Sequence, residues 1–176
     1  MQLPIVYYGD PILRKKALVI EELNEELFVL AQNMLETMDN NNGIGLAAPQ
    51  IGLSIRMFIL RNYAVKEDGT IELTEPQTFI NPTITVLDDR VQEEDEACIS
   101  LPGLRGSVIR PYFIRVEAIG LDGKTFVEEI EGYKARVVMH ENDHINGVLF
   151  IDRLSDREKK KLEPELRALK KKLSKK

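Results

Sequence analysis

The chain has 176 residues, of which 30% are charged and 6% are aromatic, a composition typical of one folded globular domain rather than of a disordered or fibrous protein. No apolar run approaches the roughly 20 residues of a membrane span. The first residues lack a long apolar stretch and a cleavage site, so we expect no secretory signal. The single cysteine excludes an internal disulfide and fits a reducing cytoplasm. The net charge of −5 is uneven, because residues 157–176 contain ten Lys/Arg and only three Asp/Glu.

Apolar residues recur at helical spacing over residues 27–38 and predict the first helix, with Asn24 as its N-cap and its end at residues 40–43. Strand patterns follow, and Pro82 within the second of them indicates an edge or a bulge. A turn at Asp122 and Gly123 predicts a hairpin. The predicted strands cover residues 54–60, 78–87, 91–100, 107–121 and 125–132.

From Tyr133 the spacing of apolar residues changes from that of a strand to that of a helix. The predicted helix ends at Gly147. Ser155 and Glu158 form a capping-box pattern for a last, basic helix over residues 155–176, in which Pro164 is expected to produce a kink or a restart. The order of elements predicts an α+β fold. We expect antiparallel sheets around a central helix, with one helix near the N-terminus and one at the C-terminus.

The central predicted helix carries the sequence MHENDHIN, which contains both histidines of the chain. His140 and His144 are four residues apart and therefore lie one turn apart on the same face, with Glu141 beside them. H-E-x-x-H on a helix is typical of metal sites in which the glutamate acts as a general base. The motif predicts that both histidines bind a metal and that Glu141 moves protons.

A catalytic metal usually has three protein ligands, so a third is expected elsewhere in the chain. Cys98 is the best candidate, because a thiolate is a strong ligand for zinc, iron or cobalt. The acidic residues downstream remain as alternatives, namely Asp152, Asp156 and Glu158.

The segment GIGLAAPQ, residues 43–50, satisfies the dinucleotide-binding pattern G-x-G-x-x-A in its letters. That pattern needs a strand before it and a helix after it, whereas here a helix precedes the segment and Pro49 stands where the second helix would run. We therefore expect no nucleotide cofactor. Gly43 and Gly45 instead allow a close approach of the backbone to a substrate, and Gln50 offers an amide donor to an oxyanion.

Three segments in this order, GIGLAAPQ, EACIS and HENDH, resemble the three motifs of the peptide deformylase family, G-x-G-x-A-A-x-Q, E-G-C-L-S and H-E-x-D-H. The resemblance runs from about Pro4 to residues 150–155. It implies a metal-dependent hydrolase of protein biosynthesis that removes the formyl group from N-formylmethionyl nascent polypeptides in the bacterial cytoplasm. It also implies one divalent metal ion, Fe2+ above all, with Zn2+, Ni2+ or Co2+ able to substitute.

The resemblance assigns roles to individual residues. It makes Cys98, His140 and His144 the metal ligands and Glu141 the proton carrier. Gln50 and the backbone N–H of Ile99 would hold the developing oxyanion. The residues expected to contact the substrate are Gly43, Ile44, Gly45, Ala97, Tyr133 and Val137. Glu96 and Arg110 match a supporting ion pair beside the cysteine.

Two positions near the cysteine differ from the family pattern. Ala97 stands in place of glycine and Ile99 in place of leucine. We expect the methyl group of Ala97 to crowd a peptide that pairs with this strand edge.

Three other functions share some of these features. Another H-E-x-x-H metallopeptidase would cleave internal peptide bonds. A cysteine hydrolase using Cys98 would be activated by chelation of a metal. A third alternative is a non-catalytic or weakly active paralogue with a structural metal, although the presence of Glu141 and Gln50 disfavours it.

The basic tail predicts a second partner. Its lysines and arginines surround a leucine stripe formed by Leu162, Leu166, Leu169 and Leu173. A deformylase meets its substrate at the ribosome, whose surface is largely RNA phosphate. We therefore expect the tail to bind the ribosome electrostatically, with formylated nascent peptides as substrates and no membrane partner.

Overall fold

The computed structural model describes residues 1–175, so Lys176 of the predicted basic tail lies outside the described residues. The three α-helices of this part are α1 (Glu25–Asn40), α2 (Gly132–Ile145) and α3 (Asp156–Leu173). Its nine strands are β1 (Gly45–Ala47), β2 (Met57–Leu60), β3 (Tyr63–Val65), β4 (Ile71–Leu73), β5 (Gln77–Val86), β6 (Val91–Cys98), β7 (Leu101–Pro111), β8 (Phe113–Ile119) and β9 (Thr125–Glu131).

The strands form three antiparallel sheets. The largest has the order β1-β2-β5-β8-β9, while β3 pairs with β4 and β6 pairs with β7. The pairing of β5 with β8 shifts register between Ile80 and Thr83, so of the two alternatives expected at Pro82, an edge or a bulge, the structure has the bulge. The predicted α+β class is therefore confirmed.

Side-chain caps place the helix starts where the sequence predicted them. The side chain of Asn24 accepts a hydrogen bond from Leu27 N at 3.0 Å at the start of α1, and Ser155 accepts one from Glu158 N at the start of α3. Gly147 follows α2 with a φ of 74°, and a Cβ there would lie 2.5 Å from the carbonyl oxygen of Arg14. A glycine is therefore required at the end of the helix that carries the histidines.

Helix α2 lies at the centre of the molecule. Its apolar residues pack with β2, β5 and β8 in one core cluster, which includes the stacked rings of Phe58 and Phe79. On another side the ring of His140 stacks on Phe150, which belongs to a second cluster with residues of β7. The helix is therefore held from two sides, and its polar side chains have fixed positions.

The prediction of a single strand over residues 107–121 is wrong. The chain leaves the β6–β7 sheet at Pro111 and enters the five-stranded sheet at Phe113. Between them, Tyr112 N donates to the carbonyl oxygen of Arg90 at 2.9 Å. Apolar and polar residues alternate through both strands, so the pattern alone does not show the change of sheet.

Helix α3 continues through Pro164 without a restart. Leu162, Leu166 and Leu169 pack against the cluster around Phe150, on both sides of the proline. This packing outweighs the cost of a proline in a helix, about 3 kcal/mol. Among residues 1–175, no helix combines the length and apolar character needed to span a membrane.

Candidate metal centre

Three side chains from two elements meet beside α2. Cys98 is the last residue of β6, and His140 and His144 are one turn apart on α2. One ligand atom from each lies within 4.8 Å of those from the other two. The sulfur of Cys98 is 3.3 Å from Nε2 of His144. The structure thus brings together the three residues that the sequence proposed as ligands.

The geometry of this cluster fits a divalent transition metal. Two ligands on one tetrahedral ion with bond lengths of about 2.3 Å for sulfur and about 2.0 Å for nitrogen are about 3.5 Å apart, close to the observed separation of Cys98 and His144. Nδ1 of His140 lies 2.8 Å from a carboxylate oxygen of Glu96, which leaves Nε2 for an ion. A thiolate with two imidazoles suits iron, zinc, cobalt or nickel.

Glu96 orients His140 from inside a buried ion-pair network. It accepts hydrogen bonds from Arg110 at 2.6 and 2.8 Å and from Arg136 at 2.5 Å. Arg110 also donates to Asp143 at 2.9 Å. Burial alone would raise the pKa of Glu96, but the hydrogen bonds from Arg110 and His140 hold it far below its usual range. Glu96 therefore stays ionised and fixes the imidazole ring.

Sequence reasoning found the pair of Glu96 and Arg110 but missed two buried partners on α2. Arg136 precedes His140 by four residues and Asp143 follows it by three, so both project near the same face of the helix. Asp143 also accepts two hydrogen bonds from Arg153, at 2.6 and 2.7 Å. Helical spacing from the first histidine was a signal that could have identified both residues.

Glu141 lies in a tight, buried place beside the three candidate ligands. It is 3% exposed, and its Oε2 atom has no hydrogen-bond partner within residues 1–175. Burial raises the pKa of Glu141 to about 7. A Cβ on Gly45 would lie 2.5 Å from Oε1 of Glu141, so the missing side chain at Gly45 makes room for this carboxyl. A carboxyl in such a place can both accept and donate a proton near neutral pH.

The side-chain amide of Gln50 has a defined direction. Its Oε1 accepts the N–H of Ala47 at 2.9 Å, so the NH2 end must point the other way. This NH2 end lies 3.4 Å from the sulfur of Cys98 and 3.2 Å from the hydroxyl of Ser100. Ile99 lies between Cys98 and Ser100 in the chain, in the turn that joins β6 to β7.

A cavity of about 410 Å3 opens next to these groups. The predicted site residues that line it are Gly43, Ile44, Gly45, Gln50, Ala97, Cys98, Ile99, Tyr133, Val137, His140 and Glu141. Sequence reasoning missed five further lining residues, which are Asn41, Asn42, Asp95, Arg105 and Arg136. Tyr133 stands at the wall and packs on Tyr63 with a ring separation of 5.1 Å. The volume suits one large side chain and the groups next to it.

The glycine segment has a different setting from a dinucleotide site. It follows α1, and its residues 45–47 form β1, which leads into a short 3-10 helix at Ala48–Ile51. The dinucleotide pattern needs a strand, a turn and then a long helix. Here the segment instead lines the cavity beside Glu141.

Taken together, the α+β fold and the Cys-His-His cluster, with a buried glutamate and an amide donor beside it, define a metal-dependent hydrolase. The family model for polypeptide deformylase matches residues 2–160. A peptide deformylase of Cytophaga hutchinsonii is 43% identical over 166 residues, covering 93% of this chain and 88% of that protein. A peptide deformylase of Clostridium botulinum is 44% identical over 146 residues, covering 83% of this chain and 92% of that protein.

A solved structure shows the same fold. The crystal structure of peptide deformylase from Plasmodium falciparum matches with a TM-score of 0.87 and 32% identity, covering 97% of each chain. The chain belongs to the polypeptide deformylase family, whose members remove the N-terminal formyl group from nascent polypeptides. The family and the activity predicted from the three sequence motifs are confirmed.

Proposed function

We propose that Cys98, His140 and His144 bind one Fe2+ ion, and that this chain uses it to hydrolyse the formamide of formyl-methionyl polypeptides. The same three donor atoms also suit Zn2+, Ni2+ or Co2+. The ion supplies Lewis acidity, which polarises a carbonyl and makes water more acidic. Fe2+ follows from the family resemblance, while the choice of a transition metal follows from the thiol and the two imidazoles.

Glu141 carries the protons of the reaction. It accepts a proton from the attacking water as the new C–O bond forms at the formyl carbon. It then delivers a proton to the amine nitrogen as the C–N bond breaks, giving formate and a free amino terminus. The buried Oε2 atom without a partner in residues 1–175 supports this role.

Gln50 and Ile99 hold the negative charge that develops on the carbonyl oxygen. The NH2 end of Gln50 is aimed at the site because Ala47 fixes its other end. Ile99 follows directly after Cys98 in the chain, and its backbone N–H is the second donor to the carbonyl oxygen. Such donors cost little reorganisation because the fold has already oriented them.

The cavity receives the methionine side chain. Tyr133, Val137 and Ile44 provide apolar wall, while Gly43, Gly45 and Ala97 provide the backbone edges along which the peptide lies. A formyl group carries only hydrogen on its carbonyl carbon, so a narrow site admits it and excludes larger acyl groups.

A single observation carries these assignments, namely the convergence of three metal donors, a buried carboxyl and an oriented amide on one cavity. Two variants separate the roles. Cys98→Ala removes the only anionic ligand, so bound metal and activity are both expected to disappear after dialysis. Glu141→Gln keeps the shape but not the proton affinity, so metal content stays near one while kcat falls by about 10²–10⁴. Full metal content and rate in Cys98→Ala, or loss of metal in Glu141→Gln, contradicts the assignments.

Helix α3 is also proposed to attach the enzyme to the ribosome in the cytoplasm. Leu162, Leu166 and Leu169 of its leucine stripe pack on the core, so a truncation would expose the cluster around Phe150. The sharper test replaces three exposed lysines, Lys159, Lys160 and Lys171, with glutamine. The matched control replaces Lys15, Lys16 and Lys124, which are exposed elsewhere on the same chain.

Ribosome co-sedimentation at low and high salt decides this part of the proposal. Each lost phosphate contact lowers the salt slope of the binding constant by about 0.7–0.9. Only the α3 variant is expected to show this change, with unaltered hydrolysis of a short formyl-peptide. Equal binding by the α3 variant and the control contradicts the docking role. Residues 1–176 are proposed to act as one catalytic domain in both tasks.

A further inference from the structure

The catalytic cavity is too small for the substrate as a whole. Its volume of about 410 Å3 accommodates one side chain with its neighbouring backbone, whereas a nascent polypeptide continues for many residues. The remaining chain must therefore leave along the surface of the enzyme. The path it takes determines whether residues after the first two influence binding.

A groove of about 350 Å3 adjoins the cavity on the side of α3. It shares two lining residues with the cavity, Asn41 and Ile99, so the two spaces meet around the Ile99 side chain. The full lining consists of Tyr7, Asn41, Ile99, Pro102, Leu169, Lys172 and Leu173. Ile99 also follows the ligand Cys98 directly, which brings the groove close to the reacting groups.

The groove combines apolar and polar groups and carries one positive charge, with four of its seven lining residues apolar. Lys172 is the only charged side chain among its described lining residues, and none of those residues is acidic. Three of the lining residues belong to α3, which is fixed in place because Leu162, Leu166 and Leu169 pack on the core. A rigid apolar wall with one ammonium group favours a ligand that has apolar and acidic side chains.

We propose that this groove binds the substrate polypeptide downstream of its second residue and prefers an acidic side chain opposite Lys172. The inference rests on the proposed function, because it requires that the formylated end of the same chain lies in the cavity. An extended peptide rises about 3.3 Å per residue, so the segment involved is roughly the third to the fifth residue. Helix α3 then contributes to substrate selection as well as to the proposed ribosome contact.

The test compares three peptides with the metal-loaded enzyme. The probes are the C-terminal amides of formyl-Met-Ala-Ser, formyl-Met-Ala-Ser-Glu-Leu and formyl-Met-Ala-Ser-Lys-Leu, and formate release gives kcat/KM for each. The variants are Lys172→Glu and, as a matched control, Lys171→Glu, an exposed neighbour that does not line the groove. Both variants change the charge of the same helix by the same amount.

The wild-type protein is expected to prefer the glutamate peptide over the lysine peptide by roughly two- to five-fold, as for a single exposed charge pair. Lys172→Glu reverses that preference, Lys171→Glu preserves it, and the tripeptide is hydrolysed equally by all three proteins. The preference also shrinks at high salt. Equal hydrolysis of both long peptides by all three proteins overturns the inference. An identical effect of the two variants also overturns it, because the preference would then arise from the overall positive charge of α3 and not from the groove.

Failure of the proposed function gives a different result. In that case the wild-type protein releases no formate from any peptide, including the tripeptide. Binding to the groove is then measured directly, as the dissociation constants of the same peptides carrying a fluorescent C-terminal label. A Lys172-dependent preference for the glutamate peptide in that assay supports the groove, and its absence rejects it.

Discussion

Replacing Gly45 with alanine tests how closely Glu141 is positioned. A Cβ at this site would lie 2.5 Å from Oε1 of Glu141 and 2.8 Å from both its Cδ and its Cγ. Carbon atoms in contact prefer separations of about 3.5–4.0 Å, so the carboxyl must move by roughly 1 Å. Glu141 is 3% exposed and has little space in which to do so.

A misplacement of about 1 Å in a catalytic group lowers a rate by about 10²-fold. We therefore expect Gly45→Ala to lower kcat for a formyl-Met peptide by about that factor, while metal content stays near one because no ligand is touched. Formate release and elemental analysis of the purified protein measure the two quantities.

Gly43→Ala provides the comparison. Its Cβ would lie 2.5 Å from Cδ1 of Ile99, the far end of a flexible side chain that can turn away. A smaller effect, mainly on KM, is expected there. An unchanged kcat in Gly45→Ala would refute the tight packing of Glu141, and equal losses in the two variants would show that crowding of the substrate, rather than Glu141, is the cause.

Three further predictions concern the surroundings of the metal centre. Arg110→Met leaves buried carboxylates, including Glu96, without their partner, so it should lower the free energy of unfolding in urea by about 3 kcal/mol. The control is Arg115→Met, which removes a half-exposed ion pair and should change the free energy of unfolding by less than about 1 kcal/mol. Gln50→Leu should lower kcat by about 10²–10³ without loss of metal, since it removes one oxyanion donor; a change confined to KM would argue against that role. Ala97→Gly should raise kcat/KM for formyl-Met peptides if the methyl group crowds the substrate, and an unchanged value would withdraw that expectation.

The sequence predicted the elements that depend on local periodicity and capping. Helix α2 and its histidines follow from H-E-x-x-H and from the need for Gly147 after the helix, and α1 follows from its Asn24 cap. The sheets were harder to predict from the sequence, because strand pairing joins residues that are far apart in the chain. The division at Tyr112 is one example, and the short β3–β4 hairpin, which the sequence pattern did not indicate, is another.

The candidate site shows the same limit. The three motifs pointed to the proposed metal donors, to Glu141 and to Gln50, since each of these residues lies in a short segment with a recognisable chemistry. They did not show that Ala47 fixes the direction of the Gln50 amide, because that requires the geometry of a 3-10 turn. The role of Gly45 was also hidden, because its contact with Glu141 joins residues almost a hundred positions apart.

The central claim is tested most directly by formate release from a formyl-methionyl peptide. The protein is prepared anaerobically, stripped of metal, and assayed before and after addition of one equivalent of Fe2+. We predict no release by the stripped protein, and after addition of Fe2+ one formate per peptide, with every internal peptide bond intact. Equal formate release with and without metal, or cleavage of internal bonds in place of formate release, would contradict the account.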